Sequence, residues 1–196
     1  MRIITGSAKG VGLLTLEGDE TRPTAARAKE ALFSMLQFDI EGRRVLDLFG
    51  GSGQLGLEAL SRGAAFCDFV DASDKAAAVI RKNIGKTGFA DRSRVTVADY
   101  RQFLRSAAGN KGFDLVFLDP PYASGALTDA LIRLADAGLL HSGCLVVCES
   151  EEGGVTEKIP RLSEEYRLLK SGRYGRVRIE LLTPKGEAAD GFRFSE

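Results

Sequence analysis

The sequence predicts an α/β fold, a mostly parallel sheet covered by helices on both faces, and three observations predict it. Short apolar runs without polar alternation recur along the chain, stretches with helical spacing separate most of them, and the last two runs are joined by a link too short for a crossover helix. Strands buried on both faces read as unbroken apolar runs, and parallel neighbours need a helical connection that is almost always right-handed. The short final link implies an antiparallel hairpin.

In chain order, strands are expected at 44–49, 66–71, 95–98, 113–118 and 144–149, with helices at 55–62, 75–84, 100–107 and 126–137. The closing hairpin takes 166–171 and 176–182, turning through Gly172-Arg173-Tyr174-Gly175. Residues 1–40 read as an appendage, a small hairpin of 2–5 against 12–16 followed by a helix from about Ala25 to Leu36 with Thr24 as its cap. Residues 41–185 form the main domain, and 186–196 read as a loose tail.

Composition narrows the functional classes. The 196 residues are 44% apolar and 28% charged, which suits one globular unit with a substantial core. The first residues lack a charged stretch followed by a long apolar one, and no run approaches the ~18 apolar residues that span a bilayer, so a cytoplasmic protein is expected. Cys67, Cys144 and Cys148 are odd in number and sit in apolar surroundings, as buried reduced thiols do. With no CxxC pair and His141 the only histidine, no metal site is expected.

Net charge is zero, 27 basic side chains against 27 acidic, so any nucleic-acid contact must be local. From Lys158 to Lys185 eight basic residues face three acidic ones. That run is either a solvated strand face or a grip on phosphates.

Two motifs carry chemistry. The first is Asp47-Leu48-Phe49-Gly50-Gly51-Ser52-Gly53-Gln54-Leu55-Gly56, where an expected strand turns into a helix. Gly51, Gly53 and Gly56 complete GxGxxG, which lets backbone turn sharply and lie against a ligand. Asp71 ends the next strand 18 residues after Gly53, where a carboxylate accepts bonds from ribose hydroxyls. An adenosine-containing cofactor follows. Asp47 sits just ahead of the glycines, where its charge would repel the pyrophosphate of NAD but attract the ammonium of an amino-acid moiety such as that of S-adenosylmethionine. Asp99 and Tyr100 follow the third strand; Asp99 either bonds the adenine amino group or caps the helix at Tyr100, whose ring would cover the base.

The second motif is Asp119-Pro120-Pro121-Tyr122, directly after the apolar run 113–118. A carboxylate, a carbonyl directed by two prolines and an aromatic ring suit a flat ligand bearing an NH2 group, a nucleobase. The tetrapeptide does not choose among guanine N2, adenine N6 and cytosine N4, or between RNA and DNA. An NAD-dependent oxidoreductase would need only the glycine turn, and a non-catalytic RNA-binding module neither motif.

These residues together resemble class I S-adenosylmethionine-dependent methyltransferases and, within them, the RsmD family that methylates N2 of a guanine in small-subunit ribosomal RNA. The resemblance spans nearly the whole chain: Thr21-Arg22-Pro23-Thr24 with Arg27 and Lys29-Glu30-Ala31-Leu32-Phe33, then Val45 to Gly50 with Gly56 to Ala64, Leu118 to Tyr122, and Tyr174-Gly175. Gly51, Gln54 and Asp71 stand where the family more often has alanine, a small or apolar residue, and glutamate. The resemblance implies a Rossmann-like, seven-stranded sheet with the first and fourth strands adjacent. It further implies cofactor contacts from Asp47, Phe49, Gly50, Gly51, Gly53, Asp71, Asp99 and Tyr100. Asp119, Pro120, Pro121 and Tyr122 would act on the base, and Arg22, Pro23, Thr24, Arg27 and Lys29 would meet RNA unless they form only a capped surface helix. A partly assembled small-subunit particle is the implied substrate; a monomer is the default expectation.

Overall fold

The computed structural model describes residues 1–16, 23–121, 125–151 and 154–186. Six helices are described: α1 Pro23–Met35, α2 Gln54–Ser61, α3 Asp74–Thr87, α4 Tyr100–Ala107, α5 Ala126–Asp136 and α6 Pro160–Glu165. Seven strands are described: β1 Arg44–Asp47, β2 Phe66–Asp71, β3 Ser93–Val97, β4 Phe113–Leu118, β5 Leu140–Ser150, β6 Tyr166–Tyr174 and β7 Val177–Pro184. They form one sheet in the order β3-β2-β1-β4-β5-β7-β6. β3 through β5 are parallel, and β7 runs antiparallel to both β5 and β6. Strand order reverses between β1 and β4, so a crevice opens beyond the carboxyl ends of these two strands.

The apolar runs are continuous because each face of the sheet meets a separate core. Val45, Phe69, Leu115, Phe117 and Val147 pack toward α1, α2 and α3, while Leu46, Val70, Val116, Leu118 and Val146 pack toward α4, α5 and α6. Ile3, Ala8 and Leu13 join the first core, which ties the N-terminal segment to the main body. The three cysteines are buried and free. Among the described residues no helix is long and apolar enough to cross a membrane.

Several expectations need correction. The N-terminal pairing is shorter than expected, residues 1–3 against 10–13: Arg2 bridges Gly12, Ile3 N–H donates to the Val11 carbonyl and Leu13 N–H to the Met1 carbonyl, while side chains of α2 and α3 hold the arm to the body. Helix α1 begins at Pro23, so Thr24 lies in its first turn and does not precede it as a cap. Proline suits that place because the first N–H groups of a helix have no intrahelical partner. The final turn is shorter than expected: the β6–β7 ladder continues to Tyr174 opposite Val177, leaving Gly175 (φ 63°) and Arg176 at the tip. Gly172 does not break this ladder, since the Tyr174 ring lies over it. Helix α6 went unforeseen, being six residues long and opened by Pro160.

Candidate active site

β1 delivers Asp47 to the mouth of the crevice, and residues 48–53 wrap back toward α2. Gly51 and Gly53 take φ values of 53° and 78°, the left-handed region where side chains are strained. At Gly50 the constraint is space, because a Cβ there would lie 2.9 Å from Ile80 Cδ1 of α3. At Gly56 a Cβ would overlap the Phe69 ring and the Cys67 sulfur, so this glycine sets how closely α2 lies on β2.

The Asp47 carboxylate is buried and accepts a hydrogen bond from Gly56 N–H at 3.0 Å. Burial pushes its pKa up to about 7 against the pull of that bond, and the carboxylates of Asp119 and Asp71 push the same way. Asp71, at the end of β2, accepts from Gly51 N–H at 2.9 Å on one oxygen and from Ser73 N–H at 2.8 Å on the other. It therefore fixes the glycine loop and retains lone pairs for a ligand.

The capping reading of Asp99 holds. Its side chain caps α4 by accepting from Arg101 N–H at 2.8 Å, and the residue also lines the crevice. Tyr100 packs against Phe49 with ring centroids 5.2 Å apart and donates its hydroxyl to Asp129 at 2.8 Å. Burial, reinforced by Asp129, raises that hydroxyl to about 12, so it stays neutral and the two rings form a firm aromatic wall.

β4 ends at Leu118, and Asp119, Pro120 and Pro121 line the same cleft, of about 700 Å³. Asp47, Asp71, Asp99 and Asp119 all border it, and no described lysine, arginine or histidine does. Gly53 lies behind this lining, where it shapes the turn. Tyr122 and Arg22 lie outside the described residues. Pro23 and Thr24 begin α1, and Arg27 is exposed on it. Lys29 is a correction: only 3% exposed, its ammonium sits 3.1 Å from the buried Glu58 carboxylate, which binds it inside the protein and away from any phosphate.

Three residues escaped the sequence reading. Leu16 of the N-terminal arm lines the cleft. Glu149 stands at the end of β5, where the pairing of Leu118 with Cys148 sets it beside Asp119. Burial raises its pKa to about 8, aided by the carboxylates of Asp119 and Asp47. Its only signal in the sequence is a lone carboxylate closing an apolar run. Asn83 of α3, fully buried, binds both the arm and the glycine loop, and nothing local in the sequence announces that.

A Rossmann-like sheet with a carboxylate-lined cleft at its switch point places the protein among the methyltransferases of this fold. Residues 1–183 match the family described as Conserved hypothetical protein 95, and the chain belongs to that family, the RsmD family of the resemblance. Ribosomal RNA small subunit methyltransferase D of Escherichia coli K12 is 34% identical over 181 residues, 92% of this chain and 88% of that protein. The Haemophilus influenzae protein of the same name is 33% identical over 182 residues, 92% of each chain. The solved structure of Escherichia coli yhhF superposes with a TM-score of 0.81 at 31% identity, covering 95% of this chain and 99% of that one.

Proposed function

We propose that the protein transfers a methyl group from S-adenosylmethionine to the exocyclic N2 amine of a guanine in small-subunit ribosomal RNA, on a partly assembled particle. The observation that carries this reading is the cleft shared by Asp47 and Asp119, bordered by four aspartates and no described cation. Such a lining disfavours the pyrophosphate of NAD and suits a ligand with ammonium and sulfonium charges. The size of the cleft also suits a nucleoside cofactor with part of a second ligand.

S-adenosylmethionine supplies an electrophilic methyl group on a sulfonium. Asp47 would hold the ammonium, Asp71 the ribose hydroxyls, and Phe49, Asp99 and Tyr100 the adenine. Gly50 and Gly51 let the backbone lie close to the cofactor. An exocyclic amine is a weak nucleophile because its lone pair is delocalised into the ring. The Asp119 carboxylate and the Pro120 carbonyl would accept hydrogen bonds from its two N–H groups, localising the lone pair on nitrogen and stabilising the charge that develops there; S-adenosylhomocysteine is the leaving group, and the surplus proton on nitrogen would pass to Asp119 or to water. Pro121 fixes the direction of that carbonyl, and Tyr122 would stack on the base once it has left its own stack.

RNA would meet the protein at the carboxyl ends of the parallel strands. β7 pairs Arg178 with Ser150, so the β6–β7 tip rises at the same edge as Asp119 and presents Arg173 and Arg176 there. Arg161, in contrast, is bound to Asp136 and Glu165, and Lys185 donates to the Ser163 carbonyl. Arg161 and Lys185 are thus engaged elsewhere, and the hairpin tip would make one contact, with Arg27 and the segment containing Arg22, Pro23 and Thr24 as a second. The names of the relatives support ribosomal RNA of the small subunit as substrate, and the choice of guanine N2 over adenine N6 rests on family resemblance.

Ligand-dependent melting tests the cofactor, since a ligand that binds only the folded state raises its stability. S-adenosylmethionine and S-adenosylhomocysteine should raise Tm while NAD does not. A shift with NAD alone would overturn the reading.

A further inference from the structure

The N-terminal arm and the glycine loop are joined by one side chain. Asn83 Oδ1 accepts from Leu14 N–H at 2.8 Å, and Nδ2 donates to the carbonyls of Leu14 and Ser52, each at 2.9 Å. The amide thus pairs Leu14 as a neighbouring strand would, while its second N–H holds the loop between Gly51 and Gly53. Asparagine suits this role because it offers an acceptor and two donors on a short stem, whereas aspartate could only accept.

Consequences reach the cleft from both ends of this link. Ser52 and Leu16, two residues beyond Leu14, both line it. Ile80, one turn earlier on α3, lies 3.4 Å from the Cβ position of Gly53, so the helix supports the loop from beneath. Farther along the arm, Glu58 accepts from the N–H groups of Ile4 and Thr5, Ser61 accepts from Ala8 N–H, and Lys86 donates to the Gly12 carbonyl. These contacts anchor the arm to α2 and α3, while Asn83 joins it by hydrogen bonds to the loop.

We infer that Asn83 is a positioning residue that couples the two ligands: it makes the N-terminal arm and the cofactor loop a single unit, so that RNA held by α1, whose Lys29 donates to the Arg2 carbonyl of the arm at 3.4 Å, tightens the grip on the cofactor. The inference rests on the methyltransferase reading. Coupling between two sites is reciprocal and requires an element that both ligands bias. Here that element is the arm-loop unit, tied to α1 through Lys29 and Glu58 and itself a wall of the cofactor cleft.

The test is the affinity for labelled S-adenosylhomocysteine, measured by equilibrium dialysis on the full chain, with and without purified small ribosomal subunits from cells lacking the gene. Subunits should tighten binding about fivefold or more in the wild-type protein, within the usual range of coupling between sites. Asn83→Ala should bring the ratio close to one. Leu14→Pro removes the N–H that donates to Asn83 and leaves α3 intact, and it should do the same even if Asn83→Ala fails to fold. A merely structural role would lower Tm and leave the ratio unchanged. A wild-type ratio of one, or a wild-type ratio retained by the folded variants, overturns the inference while leaving the cofactor assignment standing. Failure of the wild-type protein to bind S-adenosylhomocysteine at all overturns the methyltransferase reading itself.

Discussion

Asp47 and Asp119 leave neighbouring parallel strands: Asp47 pairs with Phe117 in the β1–β4 ladder, and Asp119 follows two residues later. Their carboxylates consequently border one cleft from adjacent strand ends, and each raises the cost of the other's charge. A cationic ligand between them relieves that cost, which gives the two halves of the proposed chemistry a common electrostatic origin.

Asp119→Ala should lower methyl transfer to small subunits by about 10²–10³-fold, the scale expected for losing one preorganised group aimed at developing charge. Cofactor affinity, measured by calorimetry, should change little. An equal loss of both would place Asp119 in cofactor binding.

The pKa of Asp47 is raised on folding to about 7 and that of Glu149 to about 8. A carboxyl raised in the folded state contributes its stability below the unfolded pKa, near 4, and loses it as pH climbs through the folded value. Tm of the free protein should therefore fall between about pH 4 and pH 8, by several degrees. Asp47→Asn should flatten that slope, and S-adenosylmethionine should oppose it, binding more tightly as pH rises and Asp47 ionises. Melting curves at half-unit intervals check both.

Gly56→Ala should destabilise the protein by about 1–3 kcal/mol through overpacking against Phe69 and Cys67, although alanine favours helix in general. Chemical denaturation measures this, and a gain in stability would contradict the packing of α2 on β2.

Two basic residues of α1 should behave oppositely. Lys29→Met removes one of the two cations paired with the buried Glu58, leaving Arg62 and the Ile4 and Thr5 N–H groups, and should cost about 1.5–3 kcal/mol. Arg27→Glu should leave Tm unchanged and weaken binding to small subunits. Arg176→Glu at the hairpin tip should act like Arg27→Glu, with the slope of log affinity against log salt falling by about one for each phosphate the variant no longer neutralises. Denaturation beside filter binding at several salt concentrations separates these effects.

How much of this was legible in the sequence depended on the range of the cause. β2, β4 and α4 fall where expected, because an unbroken apolar run or a sharply amphipathic stretch is a local signal with clear ends. That Asp47, Asp71 and Asp119 line one cleft was legible because each stands at a strand end in a recognisable motif. Lys29 was misplaced for the opposite reason. Nothing near it reveals that Glu58, 29 residues later, waits beneath α1. Asn83 bonds a backbone 69 residues away, and a bond to backbone leaves no trace in the partner's residue type. Glu149 acquires its character from strand neighbours, which only the sheet order brings beside it.

The most direct test of the central claim is a map of base modification in small-subunit ribosomal RNA from cells with the gene, without it, and carrying Asp119→Ala. One N2-methylguanine should vanish on deletion, return with the wild-type gene, and stay absent with the Asp119 variant. An unchanged map in all three strains, or loss of a methyl group from an atom other than guanine N2, would contradict the account.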